Sequence, residues 1–278
     1  MEAALRLRFA LTALPLLFAA TGAHAQMPIR PDGLRGYIGA EYGTTRLYDT
    51  SSTTTTATRS TAKSWGGEMA LDLPLRGHIG AQLDLKATRY DYPLGNQWVG
   101  SPTLHLFARN PYGRVGVFAG GSKAGNVDAW GAGVEAETYF TGASLYGSLG
   151  YGQINKLSNT TLIAGRVEGR MFMTENFRLS ANAGYLDARS NNSRDHGYSV
   201  GLGAEYRLSN MPVSIVGSYQ HGKLSNAAIK SDAFRIGLRW SLSNETLAER
   251  NQGGASLGNV LDLFGGPIGE AIYGASVP

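Results

Sequence analysis

Asp195, His196 and Ser199 lie close together in the chain. An acid, an imidazole and a hydroxyl are the parts of a hydrolase that attacks through serine. The surrounding residues are polar and loop-like, and a histidine beside an aspartate in such a segment is more often solvated than catalytic. Gly201-Leu-Gly203 is no phosphate loop, because no helix follows to receive a phosphate. With 0 Cys there is no disulfide framework, thiolate nucleophile or thiolate metal site. The sequence therefore assigns no catalytic residue, no cofactor and no metal ligand. Of the five histidines, His24 belongs to the first segment, His78 and His105 are expected to face inward, and His196 and His221 lie toward the outer loops.

A second set of titratable residues has regular spacing. In Ser64–Leu75, Trp65, Met69, Leu71 and Leu73 alternate with Glu68, Asp72 and their polar or small neighbours. The same alternation puts Asp84, Lys86, Arg109, Arg114, Glu135, Glu137, Arg166, Glu168 and Arg170 on one side of successive segments. Arg178, Glu205, Arg207, Arg235 and Arg239 complete the series. Seven acids against nine bases could line an aqueous passage, pair across its wall and favour anions slightly.

A period of two is the signature of a strand with unlike faces. It marks twelve segments, at 36–48, 64–75, 77–91, 98–110, 112–122, 128–140, 142–154, 161–173, 177–188, 197–208, 212–222 and 232–243. Most are longer than the five or six residues of ordinary strands and long enough to cross a bilayer at a tilt. The connections alternate between tight turns and longer polar loops, and every tight turn falls on the side of both termini. Trp65, Trp98, Trp130, Phe140, Phe177, Tyr206 and Trp240 sit near the ends of the apolar face, where aromatic girdles form at a membrane interface. The expectation is an all-β chain, a single antiparallel transmembrane β-barrel of 12 strands with short periplasmic turns and longer outer loops. Twelve strands fall between the filled barrel of eight and the open channel of sixteen, so the lumen could be a narrow pore or be blocked.

Residues 1–25 read as a cleaved signal peptide, with Arg6 and Arg8, an apolar stretch and Ala23-His24-Ala25. Residues 26–35 then form a short periplasmic segment, 36–243 the barrel, and 244–278 a periplasmic C-terminal extension. For that extension a loosely ordered state is favoured over a plug folded into the barrel mouth. Charged residues are only 17% and Gly is 38 of 278, which suits neither a soluble helical domain nor a helical membrane protein. The net charge of +4 is spread without a Lys/Arg block, which disfavours a nucleic-acid partner.

With this architecture the chain resembles the porin-like outer-membrane β-barrel superfamily of Gram-negative bacteria. Locally, Arg235-Ile-Gly-Leu-Arg-Trp-Ser-Leu242 resembles the last-strand signal read by the barrel assembly machinery, although here 36 residues follow it. The resemblance implies an outer-membrane location, contact with outer-membrane lipid and lipopolysaccharide, and passive diffusion of small hydrophilic solutes. Two alternatives remain: a structural or adhesive barrel with a plugged lumen, and a lipid-modifying barrel enzyme.

Overall fold

The structure, a computed structural model, describes residues 34–49, 59–93, 95–155, 160–191, 193–226 and 228–264. The signal segment 1–25 lies outside the described residues, as do 26–33, 50–58 of the Thr/Ser run and the tail beyond 264.

Twelve strands follow one another along the chain: β1 (Arg35–Asp49), β2 (Arg59–Pro74), β3 (Ile79–Tyr92), β4 (Gly95–Asn110), β5 (Gly113–Ala124) and β6 (Val127–Phe140) form the first half. The second half is β7 (Ala143–Asn155), β8 (Thr160–Thr174), β9 (Phe177–Arg189), β10 (Arg194–Arg207), β11 (Val213–Leu224) and β12 (Ile229–Ser241). Each pairs antiparallel with its sequence neighbours, and β1 pairs with β12 from Tyr37↔Ser241 to Asp49↔Ile229, which closes the barrel. Only an even count lets the first and last strands meet antiparallel. Tight turns join β2 to β3 and β6 to β7, with Gly77 (φ +61) and Gly142 (φ +71) in the left-handed conformation that glycine adopts without strain.

The faces are inverted relative to a water-soluble protein. Leu202 is 63% exposed and Leu238 56%, while Gln82 and His105 are 0% exposed. Outward side chains along β12 run Phe234, Ile236, Leu238 and Trp240, all exposed, whereas Arg235 and Arg239 point into the lumen and pair with acids there. An exterior of this kind is stable only where hydrocarbon covers it. A 13-residue strand such as β7 is about 43 Å long and, tilted about 40°, stands about 33 Å tall. That height matches the roughly 30 Å hydrocarbon core of a bilayer. No described helix is long and apolar enough to cross a membrane. The crossing elements are the strands.

All seven aromatics expected in girdles lie on the outward face. Trp65, Trp98 and Trp130 stand toward the outer ends, with the Trp65 and Trp98 rings 5.1 Å apart. Phe140, Phe177, Tyr206 and Trp240 stand toward the end that holds the tight turns, where Phe177 and Tyr206 are 6.4 Å apart. Strand bounds differ from the sequence reading mainly at β2, which begins at Arg59 rather than at 64.

After β12 the chain forms two short helices, α1 (Leu247–Gly253) and α2 (Val260–Phe264). They pack against inward-facing wall residues, with α2 close to β4 through β8. The expectation of a loosely ordered periplasmic extension is thus corrected for residues up to 264, which occupy the lumen. The wall presents buried donors and acceptors, among them Arg109, Gln82 and Thr103, that are paired with the tail's backbone groups and would cost free energy if left buried without a partner.

Candidate functional site

The strand alternation that turns apolar side chains to lipid turns sixteen expected charged residues inward, and the curvature of the wall brings them together in groups. His105 on β4 has its Nδ1 2.8 Å from Glu135 Oε1 and its Nε2 2.9 Å from Asp84 Oδ2. The Tyr146 hydroxyl donates to the other Glu135 oxygen at 2.9 Å. Glu135 reaches past β5, which presents Gly116 opposite it. A second group centres on Glu137, which accepts from Arg114 Nη2 at 2.6 Å, Arg170 Nη1 at 3.0 Å and Ser144 Oγ at 2.9 Å. Glu168 extends it, accepting from Arg166 and Arg170 at 2.7 Å each. A third centres on Glu205, with Arg178 Nη2 at 2.8 Å and Arg239 Nη1 at 3.0 Å, and Arg239 Nε in turn 2.6 Å from Glu68. Arg109 pairs with Asp72 at 2.6 Å, and Lys86 with Glu41 at 3.1 Å. Arg207, on β10, is also inward and buried.

The tail is bound by these same groups. The sequence at its start encodes the first helix: the Thr246 hydroxyl accepts from the Glu249 N–H, and the Glu249 carboxylate accepts from the Thr246 N–H, forming a capping box. Arg250 of α1 donates to Glu205 as its third arginine and lies 5.1 Å over the Tyr37 ring. Asn251 donates to Glu137 Oε1 and Ser144 Oγ and accepts from Arg170, all at 3.0 Å. The Gly253 carbonyl accepts from Arg35 at 3.0 Å and Arg109 at 2.8 Å. Arg114 donates to the Gly254 carbonyl at 3.3 Å and to the Ser256 hydroxyl.

Further in, Gln82 holds the backbone on both sides. Its Oε1 accepts from the N–H groups of Ser256 (3.1 Å) and Leu257 (3.2 Å), and its Nε2 donates to the Leu257 carbonyl at 3.2 Å and to Asp84. Asn259 and Ser101 exchange hydrogen bonds, and Thr103 accepts from the Val260 N–H. Near the outer end, Leu263 packs on an inward apolar collar that includes Tyr90, Val99, Ile154, Leu162 and Leu186. The tail thus enters at the end of the tight turns and runs along the β2–β8 half of the wall toward the other end.

Beside it remains a cavity of about 210 Å³ between the tail and the remaining wall, with Lys86, Arg178, Asn182, Gln220 and Arg235 among its lining. Seven Lys or Arg side chains and five Asp or Glu line it, so its field leans toward anions. Titration matters at the mouth, where burial raises the Glu245 carboxyl above its ordinary value and Arg35, 3.8 Å away, pulls it part of the way back.

The hydrolase-like triplet is not assembled. His196 is exposed on the outward face of β10 opposite Asp187, while Ser199 points inward opposite Gly184. Asp195 instead accepts from the N–H groups of His196 (2.7 Å) and Asn226 (2.8 Å). His78, expected inward, is exposed in the turn before β3. Glu41, Gln82, Ser101, Arg250 and Asn251 were missing from the sequence-derived set. Glu41 was readable from the alternation with Ile38, Ala40 and Tyr42, and α1 from Thr246-x-x-Glu249. Gln82 and Ser101 give no signal beyond an inward position.

No family model matches the chain, and no curated protein matches it in sequence. Among solved structures it is similar to an outer membrane channel from Pseudomonas putida F1, with 12% identity, TM-score 0.56, and 80% of this chain and 97% of that chain covered. It also aligns with the translocator domain of the autotransporter NalP from Neisseria meningitidis, at 13% identity and TM-score 0.47 over 86% of this chain and 95% of that one. The fold is that of the outer-membrane β-barrels.

Proposed function

We propose that the chain resides in the bacterial outer membrane and gives small hydrophilic solutes passive passage, with its C-terminal segment closing the lumen in the state described here. One observation carries the reading: the inward wall is charged and polar, and the segment across it is held by side-chain and backbone hydrogen bonds rather than by a continuous apolar core. Each such contact is individually worth only about 0.5–1.5 kcal/mol, or about 1.5–3 kcal/mol when charged, so the segment is held by many small polar interactions, each exchangeable with water. Selectivity then comes from the field of the lining groups, with a small preference for anions. Export by the segment 1–25 and insertion by the barrel assembly machinery belong to the same proposal. No chemical step is assigned to Asp195, His196 and Ser199, which do not converge among the described residues.

Single-channel recording tests this. The mature chain, residues 26–278, refolded into planar bilayers, is expected to show rare, brief openings. A chain ending at residue 243 is expected to show sustained openings carrying slightly more anions than cations. Silence from both chains would replace the channel with the structural barrel.

A further inference from the structure

The outward face carries charge only at the outer ends of the strands, and this charge is one-sided. On β4 through β8 the outward charges in that band are Lys123 and Asp128, which pair with each other at 3.7 Å. From β9 round to β3 the bases outnumber the acids, and the acids are already engaged. Asp187 pairs with Arg189 and Arg194, Asp232 accepts from Tyr219 and contacts His221, and Asp91 pairs with Arg89. Lys223, Lys230 and Lys63 have no ion pair with a described residue.

Lys223 and Lys230 stand directly opposite each other on β11 and β12, both half-buried against the outer surface. Like charges in direct register across a ladder destabilise it, unless an anion lies between them. Arg46 of β1 is one outward position further in, opposite Asp232. Below this basic group the same strands present Tyr219, Phe234 and Ile236, each exposed. Read from rim to midplane, the column carries the two lysines, then Arg46 with Asp232 and His221 beside it, then aromatic and aliphatic side chains, so that its lysine rim and apolar body suit a lipid with an anionic head.

We infer that Lys223, Lys230 and Arg46 form a binding site for the phosphate of a phosphorylated outer-leaflet lipid, the chemistry that lipopolysaccharide presents, with its acyl chains lying over Phe234 and Ile236. A lipid phosphate carries negative charge and strong acceptor oxygens, which suit two ammonium groups and a guanidinium. The inference rests on the outer-membrane reading, because it takes the end opposite the tight turns as the outer one.

The mature full chain is refolded into phosphatidylcholine nanodiscs, and its retention of bisphosphorylated lipid A is measured by native mass spectrometry. Each cation near an anionic lipid surface contributes enough that losing two lowers retention about thirtyfold. The double variant Lys223→Ala/Lys230→Ala should show that loss, Lys223→Arg/Lys230→Arg should keep wild-type retention, and Lys123→Ala on the opposite side should behave as wild type. Equal retention by the double alanine variant overturns the site. Displacement of lipid A by millimolar inorganic phosphate overturns the lipid assignment, leaving a simple phosphate site. Each variant is first compared unheated and heated on a gel. A wild-type chain that never shows the compact unheated form brings down the barrel reading and this site with it, whereas compact variants with unchanged retention refute the site alone.

Discussion

Replacing Arg250 by Met should loosen the tail without unfolding the wall. The Arg250 guanidinium makes one charged hydrogen bond to Glu205 and a 3.4 Å contact with the Ser241 hydroxyl, and lies over Tyr37. A charged hydrogen bond is worth about 1.5–3 kcal/mol net, and a cation over a buried ring adds about 1 kcal/mol. Glu205 is not orphaned, because Arg178 and Arg239 stay within 3.0 Å, so the heavier cost of a stranded buried charge is avoided. Met retains much of the apolar stem. The docked state should therefore lose about 2.5–4 kcal/mol, a shift of roughly seventy- to nine-hundredfold between docked and undocked tail. In bilayer recordings at fixed voltage this appears as a rise of that order in the fraction of time open, with unchanged conductance per opening. An open fraction within about threefold of wild type would refute the view that the tail limits passage through this contact.

Other expectations follow from the same geometry. Because burial raises the Glu245 carboxyl, docking takes up a proton. It is tightest below the ordinary glutamate value of 4.5 and weakens as pH rises through the docked value. Protease cleavage of the tail should increase as pH rises above the ordinary glutamate value of 4.5, and Glu245→Gln should flatten that dependence. His105→Ala strands Asp84 and Glu135 in the lumen and should destabilise the barrel by about 3–5 kcal/mol, read as a lower temperature for loss of the compact form on a gel; an unchanged temperature would discount the buried triad. With the tail removed, Arg235→Glu should move the reversal potential toward cation selectivity, since Arg235 lines the cavity.

The strands were legible because their signal is local. Most inward Glu and Arg residues sit between two outward apolar or small residues, and a bilayer enforces that alternation more strictly than water does. The sixteen inward charges follow from it one by one. Their groupings do not: the partners of His105 come from β3 and β6, fixed only by closure and register. The low-contrast Thr/Ser run hid the start of β2 at Arg59. The tail was hardest to read, because much of its docking uses the carbonyls of Gly253 and Gly254 and the N–H groups of Ser256 and Leu257, which carry no side-chain signature. Its one local clue, the capping box at Thr246, names a helix but not its address.

Thiol accessibility tests the arrangement most directly, and the absence of native Cys makes single replacements clean. In reconstituted vesicles, Ser218→Cys at the cavity should react with a small water-soluble reagent. Leu238→Cys on the outward face should react only with a lipid-soluble one, and Leu257→Cys, on the tail and buried against Phe107 and Tyr146 of the wall, should be protected until Arg250 is also replaced. Rapid aqueous labelling of Leu238→Cys, or equal labelling of Leu257→Cys with and without Arg250, would contradict a lipid-facing apolar surface around a lumen closed by its own tail.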